Sequence, residues 1–134
     1  SYFENWDPYR NYLVAKEHCG LQESEGSNSG TFTNFAQNDQ AFYALHTYLM
    51  YLKFGFGRAN QDACIETRRG AMDRGQAVNL VRLYDGHYPE EFIQLYLDYY
   101  QMTQAEFDVV LDHYANQDLF EKIAGRWKPK FVVV

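Results

Sequence analysis

The sequence predicts a single all-α domain, a compact bundle of about six helices with room for one short extended segment. Hydrophobic residues recur at helical spacing, as at Ala77, Leu80, Val81 and Tyr84. Helix start and stop signals divide the chain at short intervals. The 134 residues are 46% hydrophobic and 18% aromatic, which supplies enough apolar surface for one core. Residues 1–134 are therefore expected to form one helical domain.

The first predicted helix is bounded by strong local signals. Asp7 is expected to cap it, Pro8 suits its first position, and Gly20 is expected to end it. A polar loop follows. Residues 31–35 then alternate threonine, phenylalanine and asparagine, which is the pattern of a short extended piece.

Two further helices are predicted in the middle of the chain. Asp39 is expected to cap the second, which is apolar on nearly every face and should therefore be buried at the centre of the bundle. Gly55 is expected to end it. Asn60 is expected to cap the third helix, which should end before Gly70.

The second half of the chain predicts three more helices. Asp73 is expected to open the fourth, and Gly86 to end it. Pro89 is expected to start the fifth. Thr103 and Glu106 have the spacing of a capping box, which predicts the start of the sixth.

The end of the chain gives weaker signals. Residues 118–123 are expected to form a last short turn. Residues 131–134 form an apolar tail that is expected either to add a strand edge or to fray.

Charge and composition exclude several classes of protein. The net charge of -6 lacks the basic face that a nucleic-acid binder needs and disfavours binding to an acidic membrane surface. The apolar run at 41–52 is shorter than the roughly 20 residues that cross a bilayer. The four histidines have no metal-ligand spacing, so no metal site is expected. These features favour a cytoplasmic protein without nucleic-acid or membrane partners.

The segment around two glycines is the first candidate site. Lys53 and Arg58 flank the bend at Gly55 and Gly57, and the next helix is expected to begin at Asn60. A helix N-terminus attracts anions, so this arrangement suits a phosphate or pyrophosphate. The alternative is a helix C-cap with exposed charges.

A second group of polar residues lies on either side of that bend. Asp62 and Glu66 are four residues apart on the third predicted helix, and Arg69 follows three later, so they share a face. They suit the wall of a sugar or nucleotide pocket, although solvated ion pairs are the better explanation of these residues by themselves. Thr31 and Asn34 could line a loop that covers a ligand, and a mobile surface loop is the alternative.

The run from Tyr51 to Ala59 resembles a segment of the N-acetyl sugar amidotransferases of the PseA and WbpG type. The resemblance continues in order along nearly the whole chain, in these segments: 2–9, 30–35, 66–68, 74–81, 84–86, 119–122 and 127–128. The resemblance implies the C-terminal part of a longer enzyme whose N-terminal half carries the ATP-binding loop of the PP-loop pyrophosphatases. The start at Ser1 is compatible with such a division.

The resemblance also implies a reaction. These enzymes are thought to convert a sugar acetamido group into an acetamidino group during the synthesis of bacterial lipopolysaccharide, O-antigen or pseudaminic-acid-like sugars. ATP would activate the amide oxygen, and ammonia from a glutaminase-type subunit would replace it. The substrate would be a sugar or sugar nucleotide, and ATP would be bound mainly by the N-terminal half. This chain is not expected to be active alone, and no catalytic residue is singled out.

The resemblance suggests roles for the candidate residues. Lys53 and Arg58 would stabilise phosphates, and Thr31 and Asn34 would bind the sugar. Three residues of the third helix would orient the substrate or support the cationic residues: Asp62, Glu66 and Arg68.

The alternative function is a non-catalytic module for dimerisation or for docking the ammonia-supplying partner. Three tyrosines of the fifth helix suggest such an interface: Tyr96, Tyr99 and Tyr100.

Overall fold

The computed structural model describes residues 2–37 and 41–134. Within these ranges the chain forms six α-helices, and its predominantly helical fold confirms the predicted class. The helices are α1 (Pro8–Cys19), α2 (Ala41–Phe54), α3 (Arg58–Arg68), α4 (Arg74–Tyr84), α5 (Ile93–Tyr100) and α6 (Gln104–Tyr114). A 3-10 turn at Glu90–Phe92 precedes α5. Strands β1 (Phe120–Ile123) and β2 (Arg126–Pro129) form an antiparallel hairpin.

The local signals for α1, α4 and α6 are confirmed. The Asp7 side chain accepts a hydrogen bond from the backbone N–H of Arg10, and Gly20 ends α1 in the left-handed region. Complete capping boxes start α4, with Asp73, and α6, with Thr103. These termini are built from residues within four positions of one another, which is why the sequence alone predicts them.

The start of α3 differs from the prediction. Asn60 was expected to cap this helix, but α3 begins at Arg58 and Gly57 occupies the N-cap position. Gly57 has no side chain that could cap the helix. Instead, the carboxylate of Asp85, which directly follows α4, accepts hydrogen bonds from the start of α3.

The core lies where α2 crosses α5, α6 and the hairpin. Leu52 of α2, Tyr96 of α5 and Phe120 of β1 are almost completely buried there. This confirms the central position predicted for α2. Asp39, the residue predicted to cap α2, lies outside the described residues.

Two short segments were predicted wrongly. Residues 31–35 form a series of bends rather than an extended piece, held by the N–H of Asn28 bonded to the carbonyl of Thr33. Residues 118–123 were expected to form a last short turn; 118 and 119 do lie in a turn, but 120–123 are strand β1.

The tail folds back onto the domain. The Phe131 ring packs edge-on against Phe120, and the carbonyl of Val133 accepts two hydrogen bonds from Arg82. Within residues 2–37 and 41–134, no helix combines the length and apolar character needed to cross a membrane.

Candidate functional site

A polar network joins the 31–36 loop to α3. The Thr31 hydroxyl, whose residue is 0% exposed, donates a hydrogen bond of 2.6 Å to Oδ2 of Asp62. The Thr33 hydroxyl donates a weaker bond of 3.4 Å to the same oxygen. The guanidinium Nε of Arg58 lies 3.7 Å from that oxygen. The structure therefore brings together three of the residues singled out from the sequence, Thr31, Arg58 and Asp62.

Arg58 is an internal residue of this network. It is only 4% exposed, and its Nη2 donates a 2.6 Å hydrogen bond to the carbonyl of Ala36. Its guanidinium carbon lies 4.9 Å from the centroid of the Tyr43 ring. Burial lowers the pKa of Arg58, and the nearby Asp62 carboxylate opposes that shift. The side chain thus fixes the loop to the domain.

The N-terminus of α3 already holds an anion, the carboxylate of Asp85. Asp85 follows the end of α4, and its Oδ2 accepts the Gly57 N–H at 2.8 Å. Its Oδ1 accepts the Ala59 N–H at 3.1 Å, and the Ala59 N–H also reaches the Gly30 carbonyl at 3.0 Å. Burial raises the pKa of Asp85, although the backbone N–H donors pull it down. We call Asp85 with the start of α3 the Asp85 clamp.

The glycines around this clamp are required by close approaches. A Cβ on Gly57 would lie 2.6 Å from Oδ1 of Asp85. A Cβ on Gly86, whose φ is +69°, would lie 2.2 Å from the Tyr51 ring. Gly86 therefore packs directly against the Tyr51 ring of α2. These segments therefore hold helices together.

The clamp occupies part of the double-glycine bend at which a phosphate site was predicted. The N–H groups expected to meet an external phosphate are bonded to Asp85, and Arg58 is buried beneath the loop. Lys53 is exposed at the end of α2, with its Nζ 5.3 Å from the Phe54 ring centroid. Lys53 and Arg58 have no common partner among the described residues, and the phosphate site stays a prediction.

An open groove next to the network collects other predicted residues. It has a volume of about 370 Å³ and lies between α1, the 32–35 segment and the C-terminal end of α3. The rings of Tyr12 and Phe35 are stacked at 4.7 Å between centroids, and Tyr9 lies 6.1 Å from Phe35. We call this the aromatic groove.

Polar groups line the same groove. Glu66, predicted for a pocket wall, and Asn34, predicted for a ligand-covering loop, both line it. Oε2 of Glu66 pairs with Arg69 at 2.7 Å, and Arg69 also pairs with Asp7 at 2.8 Å. The Asn34 amide donates to the carbonyl of Ser24 at 3.2 Å. These bonds fix one carboxylate and one amide beside the aromatic rings, an arrangement suited to a neutral polar ligand with an apolar face.

Arg68 does not belong to this site. It lines a second groove on another side of α3, together with Arg74 and Val133. The structure therefore separates the seven predicted residues into the buried network, the aromatic groove, this second groove and the exposed Lys53.

Sequence reasoning missed several important residues. Asp85 is 28 positions from Gly57, and only its place in the resembling segments 84–86 gave a signal. Tyr9 and Tyr12 were not chosen as site residues. Arg69 was noted for its spacing from Glu66 but was not chosen as a site residue.

Residues 29–131 match the family described as LPS biosynthesis protein WbpG-like, C-terminal domain. The chain belongs to this family. The match includes all seven predicted site residues, and it confirms the resemblance to the C-terminal part of a WbpG-type protein. Membership in this WbpG-like family associates the chain with polysaccharide biosynthesis. The matched region leaves out α1, and with it the part of the aromatic groove that carries Tyr9 and Tyr12. A search of curated proteins gave no match.

Proposed function

We propose that this chain is the C-terminal region of an ATP-dependent N-acetyl sugar amidotransferase of bacterial surface-polysaccharide biosynthesis. Its membership in the WbpG-like C-terminal family is the observation that carries the proposal. The enzyme converts a sugar acetamido group into an acetamidino group. Lipopolysaccharide or pseudaminic-acid-like sugars are the substrate class, and a cytoplasmic location suits a reaction that consumes ATP.

The chemistry divides between this chain and an N-terminal half that binds ATP. The amide oxygen attacks the α-phosphate of ATP, and pyrophosphate leaves. Ammonia, supplied by a glutaminase-type subunit, then adds to the activated carbon. AMP leaves with the former amide oxygen, and loss of a proton gives the acetamidine. In this proposal the chain contributes binding and positioning of the sugar.

We place the acetamido sugar in the aromatic groove. A pyranose ring has an apolar face of C–H groups, which suits the exposed ring of Tyr9. Its hydroxyl and amide groups can bond the Glu66 carboxylate and the Asn34 amide. Glu66 lines this groove, and its Oε1 has no hydrogen bond to any described residue. The Thr31–Asp62–Arg58 network positions the loop without contacting the sugar.

The labelling of the amide oxygen tests the proposed function. The full-length protein is incubated with ATP, an ammonia source and an N-acetylated sugar nucleotide whose acetamido oxygen is ¹⁸O. We expect the label to appear in the phosphate of AMP and the sugar to exchange oxygen for NH. Omission of ATP or of ammonia is the matched control. Unlabelled AMP, or an unchanged sugar, would refute the proposed reaction.

A non-catalytic interaction module is the second candidate. Phe42, Tyr99 and Tyr100 form an exposed aromatic cluster, with the Phe42 and Tyr99 centroids 4.7 Å apart. Tyr96 was predicted to belong to such an interface but is 0% exposed, and its hydroxyl donates to the carbonyl of Ala41 at 2.7 Å. It is therefore a core residue.

Light scattering tests the interaction module. The protein is measured alone and with the glutaminase-type subunit, and Tyr99→Ser is the interface variant. A measured mass above that of one chain, together with a lower mass for Tyr99→Ser, would support the interaction module. A monomer in both samples argues against it.

A further inference from the structure

The second groove beside α3 has the dimensions of a small-ligand site. Its volume is about 350 Å³, within the usual range of roughly 300–1,000 Å³ for ligand pockets. Its apolar surface comes from α3, from α4 and from the folded-back tail. The contributing side chains are Ala63, Ala77, Val78, Val81 and Val133. We call it the arginine groove because of the two cations described next.

The charge of this groove is opposite to that of the chain. Arg68 and Arg74 line it, and none of its described lining residues is acidic. The whole chain, by contrast, has 18 acidic and 12 basic residues, excluding histidine. A groove that is locally basic in an acidic domain selects an anionic ligand.

The side chain of one of these arginines has no partner within residues 2–37 and 41–134. The Arg68 side chain makes no hydrogen bond or ion pair to any residue that the structure describes. Arg74 donates one bond of 2.9 Å to the carbonyl of Val134, which leaves further guanidinium N–H groups for a ligand. Arginine presents a planar set of donors that suits phosphate oxygens.

From these observations we propose that the arginine groove binds a nucleoside diphosphate. The two guanidinium groups hold the phosphates, and the alanine and valine side chains contact the nucleoside. The arginine groove and the aromatic groove share no lining residue and lie on different sides of α3, so this ligand is separate from the sugar of the proposed function and the proposal goes beyond it. Binding is measured without turnover, so the failure of one proposal is distinguishable from the failure of the other.

Calorimetry on this chain, which contains its own buried core, tests the affinity. The probes are UDP and ADP, with uridine, adenosine and inorganic pyrophosphate for comparison. We expect at least one diphosphate to bind more tightly than its nucleoside and than pyrophosphate. Arg68→Ala should weaken this binding about tenfold, since a charge-assisted hydrogen bond is lost. Arg10→Ala, which removes an exposed arginine of α1, is the matched control and should leave binding unchanged.

Two cysteines locate the bound ligand. Cys64 lines the arginine groove, whereas Cys19 lies at the end of α1, and both are free and exposed. A bound diphosphate should slow the alkylation of Cys64 and leave that of Cys19 unchanged, as measured by mass spectrometry of the peptides.

Four results would overturn the proposal. The first is the absence of diphosphate binding tighter than about 1 mM. The second is equal affinity for pyrophosphate, which would reduce the groove to a simple anion site. The third is unchanged affinity after Arg68→Ala and after Arg74→Ala. The fourth is equal protection of Cys64 and Cys19.

Discussion

Removal of the Asp85 carboxylate should destabilise the domain by separating α3 from the end of α4. In Asp85→Ala the Gly57 N–H loses its acceptor, while the Ala59 N–H keeps the Gly30 carbonyl. One unsatisfied N–H costs about 1–3 kcal/mol, and the loss of an anion at a helix N-terminus costs about 0.3–1 kcal/mol. Because Asp85 is half-buried, water can partly replace it. We therefore expect a loss of about 2 kcal/mol in the free energy of unfolding.

The isosteric substitution Asp85→Asn removes the negative charge but keeps a hydrogen-bond acceptor. In Asp85→Asn the amide oxygen can still accept the Gly57 N–H, and the cost of burying a charge disappears. We expect a loss below about 1 kcal/mol. Asp98→Ala is the matched control, because among the described residues Asp98 accepts a side-chain bond from Gln94 alone, on the exposed face of α5. Its effect should be below about 0.5 kcal/mol.

Urea denaturation followed by circular dichroism measures these changes. The midpoint should decrease from the unchanged protein to Asp85→Asn and further to Asp85→Ala, with an unchanged slope. An Asp85→Ala midpoint equal to that of Asp98→Ala would refute the clamp as a source of stability.

The pH dependence gives the same residue a second test. Burial raises the pKa of Asp85 above its ordinary value of 3.8, so the folded state binds this proton more tightly than the unfolded state. The contribution of Asp85 to stability is therefore greatest below the ordinary pKa. It declines as the pH rises through the raised pKa of the folded state. The stability of the unchanged protein minus that of Asp85→Asn should decrease over this interval, and an increase would contradict the assignment.

Two further predictions concern the same region. Gly86→Ala should cost more than Gly20→Ala in urea denaturation, because both glycines have positive φ but only Gly86 faces a ring, that of Tyr51. We expect about 1 kcal/mol for the backbone strain alone and at least ~2 kcal/mol with the overlap, and equal losses would contradict the close packing. Arg58→Ala should cost about 3 kcal/mol because it leaves Asp62 without its cation, whereas Lys53→Ala should cost less than about 0.5 kcal/mol. Similar stabilities for these two variants would refute the buried role of Arg58.

The parts of the fold that depend on neighbouring residues could be predicted. The ends of α1, at Asp7 and Gly20, and the start of α6, at Thr103 and Glu106, are set by hydrogen bonds to residues of the same helix. The hairpin was missed because each strand has only four residues, too few to establish a period. Its turn has positive φ at Ala124 and Gly125, and an alanine there gives little signal.

The parts of the site that depend on tertiary contacts could not be predicted. The local sequence placed Arg58 beside a glycine bend, just before a helix expected to begin at Asn60, where an exposed cation or a phosphate ligand is the natural expectation. Its guanidinium group instead contacts the carbonyl of Ala36, 22 positions earlier, and the ring of Tyr43 in α2. The anion at the start of α3 comes from Asp85. No local pattern reveals that a helix terminus is already occupied by a distant side chain.

The Michaelis constant of the full-length enzyme for an acetamido sugar tests the central claim, that the aromatic groove holds this sugar. Tyr9 and Tyr114 are a matched pair of exposed tyrosines, 49% and 46% exposed, on α1 and α6. Tyr9→Ala should raise KM about tenfold with little change in kcat, which corresponds to about 1.4 kcal/mol of lost binding. Tyr114→Ala should leave both constants unchanged. Equal KM values for the two variants would contradict the placement of the sugar in this groove.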